Sequence, residues 1–316
     1  MIKYFNKINE SFSRGGLDME YTMENYANLH THTTHSDGVF TPAELVRVAK
    51  EEGYRAIAVT DHDTATAYPE LCAACEKEGL ECIFGVEFSV VEPKGYHIVG
   101  FNFDPEYPPM ADYLRKMSLR QTDRTKHCFD EAVALGKIVG VTWDDVLEFN
   151  KGVTWFSNNH IFRLLLSRGL VEQKNYMSWF VENFLHQRSK YPPIYNFVPL
   201  SDMVKLIKDA GGIAIVAHPH GQLGDIDFLI ENGISGLEIN HSMMTPDERR
   251  DAYKIAIEKN LFISGGSDHE GLCGGLYDSY PTREALLASP TYVEPMSTGT
   301  AKCYYEEIKN SRIMRK

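Results

Sequence analysis

The sequence has no long apolar run, no surplus of positive charge and no dense set of cysteines. Its longest apolar candidate covers residues 212–217, well short of the ~18 residues that a membrane-spanning helix needs. The formal net charge is −12, so nonspecific attraction to a nucleic acid backbone is not expected. Residues 1–25 are polar and lack the apolar centre of a secretory signal, so we interpret them as an N-terminal tail. These absences disfavour a membrane protein and a general nucleic acid binder.

The six cysteines are scattered over 316 residues, which favours a reducing cytoplasm over a disulfide scaffold. Two of them form the motif Cys72-x-x-Cys75. No second pair completes a zinc site, and the motif lies in a helical pattern and not at a helix start after a strand, where a redox pair belongs. We therefore interpret both as small residues on a helix.

Residues 28–63 carry a high density of histidine and aspartate around one predicted helix. The flanking runs 26–31 and 55–60 are apolar and predict buried strands, in which His30 and His32 project to the same side. The helix between them has an N-cap, a proline, a capping glutamate and a terminal glycine at Thr41, Pro42, Glu44 and Gly53. Since α/β sheets place their chemistry at strand ends, we expect these polar groups to face one cleft.

Five more strands bring the predicted total to seven, at 80–87, 96–101, 213–217, 236–240 and 261–266. The connection between the first two of these five is too short for a helical crossover, so we expect them to be antiparallel, with Glu87 beside His97. Helices separate most of the other strands. A closed or nearly closed α/β barrel is the economical arrangement for this pattern.

Residues 104–196 interrupt the alternation with helical and aromatic-rich sequence. Proline clusters bound the segment, at 105–109 and 192–193. We interpret it as a helical insertion that covers the substrate. The barrel is then built from residues 26–103 and 197–316.

Histidines and carboxylates collect at the predicted strand ends, at His30, His32, Asp37, His62, Glu87, His97, His218 and Asp268. Such ligands suit zinc, manganese or iron. One ion with roughly four to six ligands cannot use them all, so two or three divalent cations are indicated, with a carboxylate such as Glu87 bridging. Cations ~3.5–4 Å apart clamp the attacking and leaving oxygens of an in-line displacement.

Short motifs follow one another along residues 28–271: His30-x-His32, Asp37-Gly38, Thr60-Asp-His62-Asp, Gly85-Val-Glu87, His97-Ile-Val-Gly, Ala217-His218-Pro and Gly266-Ser-Asp268. In this order they resemble the polymerase and histidinol phosphatase (PHP) family of metal-dependent phosphoesterases. The resemblance implies a distorted (β/α)7 barrel, in agreement with the strand count. The insertion resembles that of the branch acting on nucleotide phosphates and short oligonucleotides, including 3′,5′-bisphosphonucleotides.

The resemblance also implies three ligand sets: one of His30, His32, Glu87 and Asp268, a second of Glu87, His97 and His218, and a third containing Asp37 and His62. The family ends its last motif with Asp-x-His, whereas this chain reads Asp268-His269-Glu270. We favour Glu270 as the replacement for the last histidine. Two alternatives stay open: His269 reaches the site through a changed turn, or the third cation is weak or absent.

A second departure lies at residues 157–160, which read Ser-Asn-Asn-His where relatives have Gly-Arg-Pro-His with a phosphate-holding arginine. By the resemblance, we expect His160 and Arg163 to contact substrate, together with His35 in its nearby loop. His220 follows the Ala-His-Pro motif, where relatives often have a basic residue, and we assign it a catalytic role. His241 contacts substrate or protonates the leaving group, the alternative being a surface loop histidine.

These features predict a metal-dependent phosphoesterase that removes phosphate from a nucleoside monophosphate or 3′,5′-bisphosphate. The expected partner is a small phosphorylated substrate, with no membrane and no long nucleic acid. Two rivals are a phosphatase of histidinol phosphate or another small monoester, and a protein that binds a phosphorylated ligand without hydrolysing it.

Overall fold

The computed structural model describes residues 25–38, 40–90, 95–172, 175–183, 198–269 and 298–311. Within these ranges the chain forms a mixed α/β fold in which helices and strands alternate. None of the helices described is both long and apolar enough to cross a lipid bilayer.

The strands form two separate sheets. In chain order they are β1 (Ala27–Asn28), β2 (Ala56–Ile57), β3 (Glu81–Cys82), β4 (Gly85–Val90), β5 (Tyr96–Phe101), β6 (Ile213–Val216), β7 (Gly236–His241) and β8 (Phe262–Gly266). Strands β1, β2 and β3 pair in parallel in the first sheet. In the second sheet β4, β5 and β6 pair antiparallel, and β6, β7 and β8 pair in parallel. The antiparallel pairing expected between the strands of Glu87 and His97 is confirmed.

The strands described do not close into the predicted seven-stranded barrel. The run 80–87, predicted as one strand, contains β3 and the start of β4, because its two parts pair with different neighbours. The sheet edges meet instead through isolated bridges, Thr31 with His269 and His62 with Glu87. The architecture is therefore two sheets in contact at their edges.

The helices are α1 (Pro42–Glu51), α2 (Tyr68–Glu78), α3 (Pro108–Ala134), α4 (Trp143–Phe149), α5 (Asn158–Ser167), α6 (Tyr176–Asn183), α7 (Leu200–Asp209), α8 (Ile226–Glu231), α9 (Pro246–Glu258) and α10 (Lys302–Lys309). Helix α1 begins as predicted: the Thr41 side chain accepts from the Glu44 backbone N–H, and the Glu44 carboxylate accepts from the Thr41 N–H. Thr245 and Glu248 repeat this capping box at α9. Local sequence therefore fixes where the chain enters these two helices.

The predicted insertion contributes helices α3 to α6, and these pack onto the rest of the protein through shared apolar clusters. Phe129 and Phe162 belong to the same buried cluster as Leu45 of α1. Near its start, α3 buries Met110 in a second cluster that includes Phe88 of β4. A third cluster joins apolar residues of both sheets, among them Leu29, Ala58, Val99 and Ile215. The sheets and the helical segment thus share continuous cores.

Candidate metal centre

The site is built where strands end and neighbouring strands meet. His30 and His32 follow β1, and His62 follows β2. Glu87 and His97 lie within β4 and β5. The remaining two side chains of the cluster, His218 and Asp268, come shortly after β6 and β8. Both residues have positive φ, so the backbone turns sharply as each of these two strands ends.

Glu87 lies at the centre of the cluster and is fully buried. Its Oε2 atom is 3.2 Å from the Nε2 atoms of His30 and His32 and 3.3 Å from Nδ1 of His62. Its Oε1 atom faces the other way, 2.9 Å from Nδ1 of His97 and 3.2 Å from Nε2 of His218. One carboxylate therefore joins two sets of imidazoles.

Two ligand groups result from this arrangement. The first contains His30, His32, Glu87 and Asp268, whose candidate ligand atoms all lie within 4.8 Å of one another. Asp268 Oδ1 is 2.9 Å from Nε2 of His32 and 3.4 Å from Nε2 of His30. The second group contains Glu87, His97 and His218. Both groups match the first two ligand sets implied by the family resemblance.

A third group contains His32, Asp37 and His62. The Asp37 carboxylate lies 3.4 Å from Nδ1 of His32 and 3.5 Å from Nε2 of His62. A neutral imidazole has one nitrogen lone pair that can bind a cation. In His32 we place it on Nε2, which faces Glu87 and Asp268 of the first group. The candidate ligands exclusive to the third group are therefore Asp37 and His62. Glu270, the predicted further ligand, lies outside the described residues.

The donor set fits divalent cations. In the part of the chain that the structure describes, several buried atoms directed into the cluster have no hydrogen-bond partner, namely Nε2 of His30, His32 and His241, Nδ1 of His62 and Oε2 of Glu87. Leaving such atoms unsatisfied costs on the order of 1–3 kcal/mol each. Converging imidazole and carboxylate lone pairs are the ligands that zinc, manganese and iron use. A bound cation would satisfy several of these atoms at once.

In this cluster, the effect of neighbouring charges on each pKa is opposite to the effect of burial and exceeds it. Burial lowers the pKa of His30 and His32, but the surrounding carboxylates outweigh it and hold both pKa values well above the usual range. For Glu87 and Asp268 burial raises the pKa, and the neighbouring imidazoles outweigh it and hold both values well below the usual range. The carboxylates are thus ionised and ready to act as ligands.

Glu238 is a buried residue of the site that sequence reasoning missed. Both of its carboxylate oxygens lie close to Nδ1 of His30, at 3.0 and 3.1 Å. Its Oε2 atom also accepts a hydrogen bond from the backbone N–H of His218 at 2.8 Å. A carboxylate behind a ligating imidazole fixes the ring orientation and tautomer. The available signal was an acidic residue between two apolar ones, Leu237 and Ile239, within β7.

His241 ends β7 and is fully buried beside the cluster. Its Nδ1 atom accepts a hydrogen bond from the backbone N–H of Met243 at 3.1 Å, so the neutral ring carries its proton on Nε2. Nε2 lies 3.6 Å from Oδ2 of Asp268. The ring therefore directs its Nε2–H toward the cluster, and it is not the surface histidine that was the alternative. His241 also belongs to a further candidate ligand group, with His30 and Glu238.

Three other predicted histidines lie outside the ligand groups found among the described residues. His220 is 50% exposed, and its Nδ1 is 3.0 Å from the Glu248 carboxylate. His35 contacts the Thr66 hydroxyl at 2.8 Å. The buried ring of His269 stacks on Phe40 with 5.2 Å between ring centroids, and the backbone of His269 pairs with the strand end at residue 31. The geometry supports neither His269 as a ligand nor His220 as a group acting at the centre.

The structure gives His160 and Arg163 contacts that differ from those predicted. Nδ1 of His160 accepts from the Ser157 backbone N–H, and Nε2 lies 3.2 Å from the Thr34 carbonyl. Both ring nitrogens are thus occupied: Nδ1 completes the capping box of α5, and Nε2 contacts the Thr34 carbonyl. The Arg163 guanidinium donates to the Gly38 carbonyl. Both side chains contact the loop that carries Asp37, so direct substrate contact by His160 is not supported.

Comparison with known proteins identifies the family. The model of the PHP domain matches residues 28–178. The chain is 31% identical to a 5′-3′ exoribonuclease of Haemophilus influenzae, over 78% of this chain and 90% of that protein. It is 28% identical to a 3′,5′-nucleoside bisphosphate phosphatase of Chromobacterium violaceum, over 76% and 86%.

A solved structure from Bifidobacterium adolescentis, described as that of a metal-dependent phosphoesterase, resembles this fold with a TM-score of 0.70 and 26% identity. The similarity covers 91% of this chain and 96% of the other. The ligand groups and these relatives both indicate a metal-dependent phosphoesterase. The chain belongs to the PHP family of metal-dependent phosphoesterases.

Proposed function

We propose that this chain hydrolyses phosphate monoesters of small nucleotides, a nucleoside monophosphate or a 3′,5′-bisphosphate. The observation that carries the proposal is the set of adjacent ligand groups around Glu87. Buried nitrogen and oxygen atoms without hydrogen-bond partners are directed between these groups. Bound divalent cations would supply Lewis acidity for a water nucleophile and for the phosphoryl oxygens. We assign two cations to the first two groups and a third to Asp37 and His62.

The protein's own residues then act in distinct ways. His30 and His32, oriented by their carboxylate neighbours, hold the first cation together with Asp268. Glu87 keeps the first two groups in contact through its two oxygens. His241 directs its Nε2–H at the leaving oxygen and stabilises the charge that develops there by donating a hydrogen bond.

The nucleotide substrate is inferred from the relatives. The phosphatase of Chromobacterium violaceum is named for 3′,5′-nucleoside bisphosphates, and most of its length aligns with this chain. The alignment with the 5′-3′ exoribonuclease of Haemophilus influenzae favours a second candidate, removal of nucleotides from short RNA. We rank the monoester first because a net charge of −12 disfavours capture of a polyanion.

We further infer that the two sheets are parts of a distorted (β/α)7 barrel. The bridges between their edges and the apolar cluster that joins them support this inference. Residues 104–196 would then be an insertion over the barrel mouth, and the stacking of Trp155 on His62, with ring centroids 6.0 Å apart, supports that role. The five cysteines that the structure describes are present as thiols and not as disulfides, which agrees with a cytoplasmic location.

The test measures, with added Mn²⁺ or Zn²⁺, the inorganic phosphate released from each monoester of a substrate panel and the mononucleotides released from its oligoribonucleotide. The panel contains nucleoside monophosphates, 3′,5′-bisphosphates, a short 5′-phosphorylated oligoribonucleotide and histidinol phosphate. Asp268→Asn should abolish turnover, whereas Asp209→Asn, which alters an exposed carboxylate paired with Lys205, should leave it unchanged.

The outcomes separate the candidates. A higher kcat/KM for a nucleotide monoester supports the proposal. A higher kcat/KM for the oligoribonucleotide or for histidinol phosphate would refute the nucleotide monoester and identify that substrate class instead. Binding of nucleotide without hydrolysis, with cations shown to be bound, would establish a phospho-ligand binding protein instead.

A further inference from the structure

The helical segment 104–183 contacts the loop that carries Asp37. Asn159 of α5 donates from Nδ2 to the backbone carbonyl of Asp37 at 3.0 Å. One turn later, Arg163 reaches the carbonyl of the next residue, Gly38. With His160, three side chains on the first two turns of α5 hold carbonyls of this one loop.

The same loop is held from its other side by the first sheet. Asp61, which follows β2, accepts hydrogen bonds from the backbone N–H of Thr33 at 2.7 Å and from the hydroxyl of Ser36 at 2.5 Å. Gly38 approaches the backbone so closely that an added Cβ would lie 2.4 Å from the carbonyl carbon of His32. The loop is therefore fixed between β2 and α5.

The segment also contacts the turn that carries His62. The buried hydroxyl of Tyr113, in α3, donates to Oδ1 of Asp63 at 3.0 Å. Asp63 directly follows His62 and has a φ of 49°, in the left-handed region that only a few non-glycine residues adopt. Trp155 stacks on the His62 ring itself, with an interplanar angle of 25°. Two parts of the helical segment thus fix this turn.

These contacts converge on the third ligand group. Asp37 and His62 are its exclusive ligands, and each is adjoined by side chains of the helical segment. The first group is supported differently: Glu238 of the second sheet orients His30 and holds the backbone of His218.

We propose that the helical segment is a positioning element for the third cation, with Tyr113 and Asn159 as positioning residues for His62 and Asp37. The proposal rests on the cation chemistry of the proposed function and adds the source of the third site's geometry. Substitution of either residue should selectively weaken binding of the third cation, because the first two groups are held by sheet residues.

The experiment measures Mn²⁺ retained per chain by elemental analysis after dialysis against graded chelator concentrations. The variants are Tyr113→Phe and Asn159→Ala, which act on different ligands. Asn183→Ala is the matched control for Asn159→Ala, because the buried Asn183 amide at the end of α6 donates to the Trp179 carbonyl at 2.8 Å, a contact within the helical segment that involves neither ligand loop. Thermal unfolding of each variant verifies that it is folded.

We expect the wild type to retain three ions and each test variant to lose one of them at roughly 10-fold or more lower chelator concentration. The other two ions should be released as in the wild type, and Asn183→Ala should match the wild type throughout. A wild type with only two ions, a loss spread over all ions, or an equal loss in Asn183→Ala would overturn the proposal.

The ion count is independent of turnover. A protein that releases no phosphate and still shows the selective loss would refute the proposed function and keep the positioning role. Full phosphatase activity with no selective loss of an ion would refute the positioning role and keep the proposed function.

Discussion

Replacing Glu238 with glutamine tests how the first ligand group is oriented. In the wild type the Glu238 carboxylate accepts from Nδ1–H of His30, which leaves the Nε2 lone pair directed to the cation. Glutamine preserves the shape, but its amide can donate to Nδ1 and stabilise the opposite tautomer, with a proton on Nε2. Glu238→Gln therefore sets the wrong tautomer without opening a cavity.

The expected loss follows from the position of the contact. Carboxylates that orient a ligating histidine are worth roughly 10- to 100-fold in metal affinity, or about 1.4–2.7 kcal/mol. Glu238 is 2% exposed, so solvent does not substitute for the lost acceptor, and a value in the upper half of this range is expected. The loss should fall on the cation held by His30.

The assay is competition for Mn²⁺ with a chelator of known affinity, followed by elemental analysis. Glu248→Gln is a matched control: Glu248 also pairs with a histidine, His220 at 3.0 Å, and accepts from a backbone N–H, that of Gly221 at 2.9 Å. Glu248 lies outside the ligand groups, so its variant should bind Mn²⁺ like the wild type. Equal affinity in both variants would refute the orienting role of Glu238.

Three further predictions concern stability and catalysis. Removal of cations by chelator should lower the melting temperature by several degrees, because free cation at 100 times its Kd stabilises the folded state by about 2.7 kcal/mol; an unchanged melting temperature would argue against resident cations. Burial, with the charge of Glu51, raises the pKa of Glu52 from 4.5 to about 8. The folded state therefore binds this proton more tightly than the unfolded state, and stability falls as pH rises between these values. In denaturant titrations Glu52→Gln should exceed the wild type by on the order of 1 kcal/mol at pH 9 and equal it at pH 4. His241→Ala should lower kcat by roughly 10²- to 10³-fold at full cation content, because one hydrogen-bond donor to the leaving oxygen is lost, whereas His220→Ala, at an exposed pair, should stay within about twofold in the same phosphate assay.

The sequence located the polar residues of the site because strand ends obey a simple rule. Apolar runs with β-branched residues predicted the strands, and the structure brings together polar residues that follow them, among them His30, His62, His218 and Asp268. Capping signals were equally local, as Thr41 shows. Such features depend on neighbours within a few residues, which the sequence displays directly.

The features that were missed depend on distant partners. Glu238 contacts His30 across 208 positions, and the local pattern, an acidic residue between Leu237 and Ile239, does not show which residue it contacts. His160 was expected to contact substrate, but it caps its own helix and contacts a carbonyl 126 positions away. The split of the run 80–87 into two strands likewise depends on which neighbours each half pairs with.

The two oxygens of Glu87 face different imidazole sets. A rotation of the Glu87 carboxylate that improves its contact with one set therefore also changes its contact with the other. Capture of one ion would immobilise the side chain in the pose that the second ion needs, and the second would then avoid that ordering cost. Loading should accordingly be cooperative, and a preparation given too little cation should contain empty and filled molecules with few singly loaded ones.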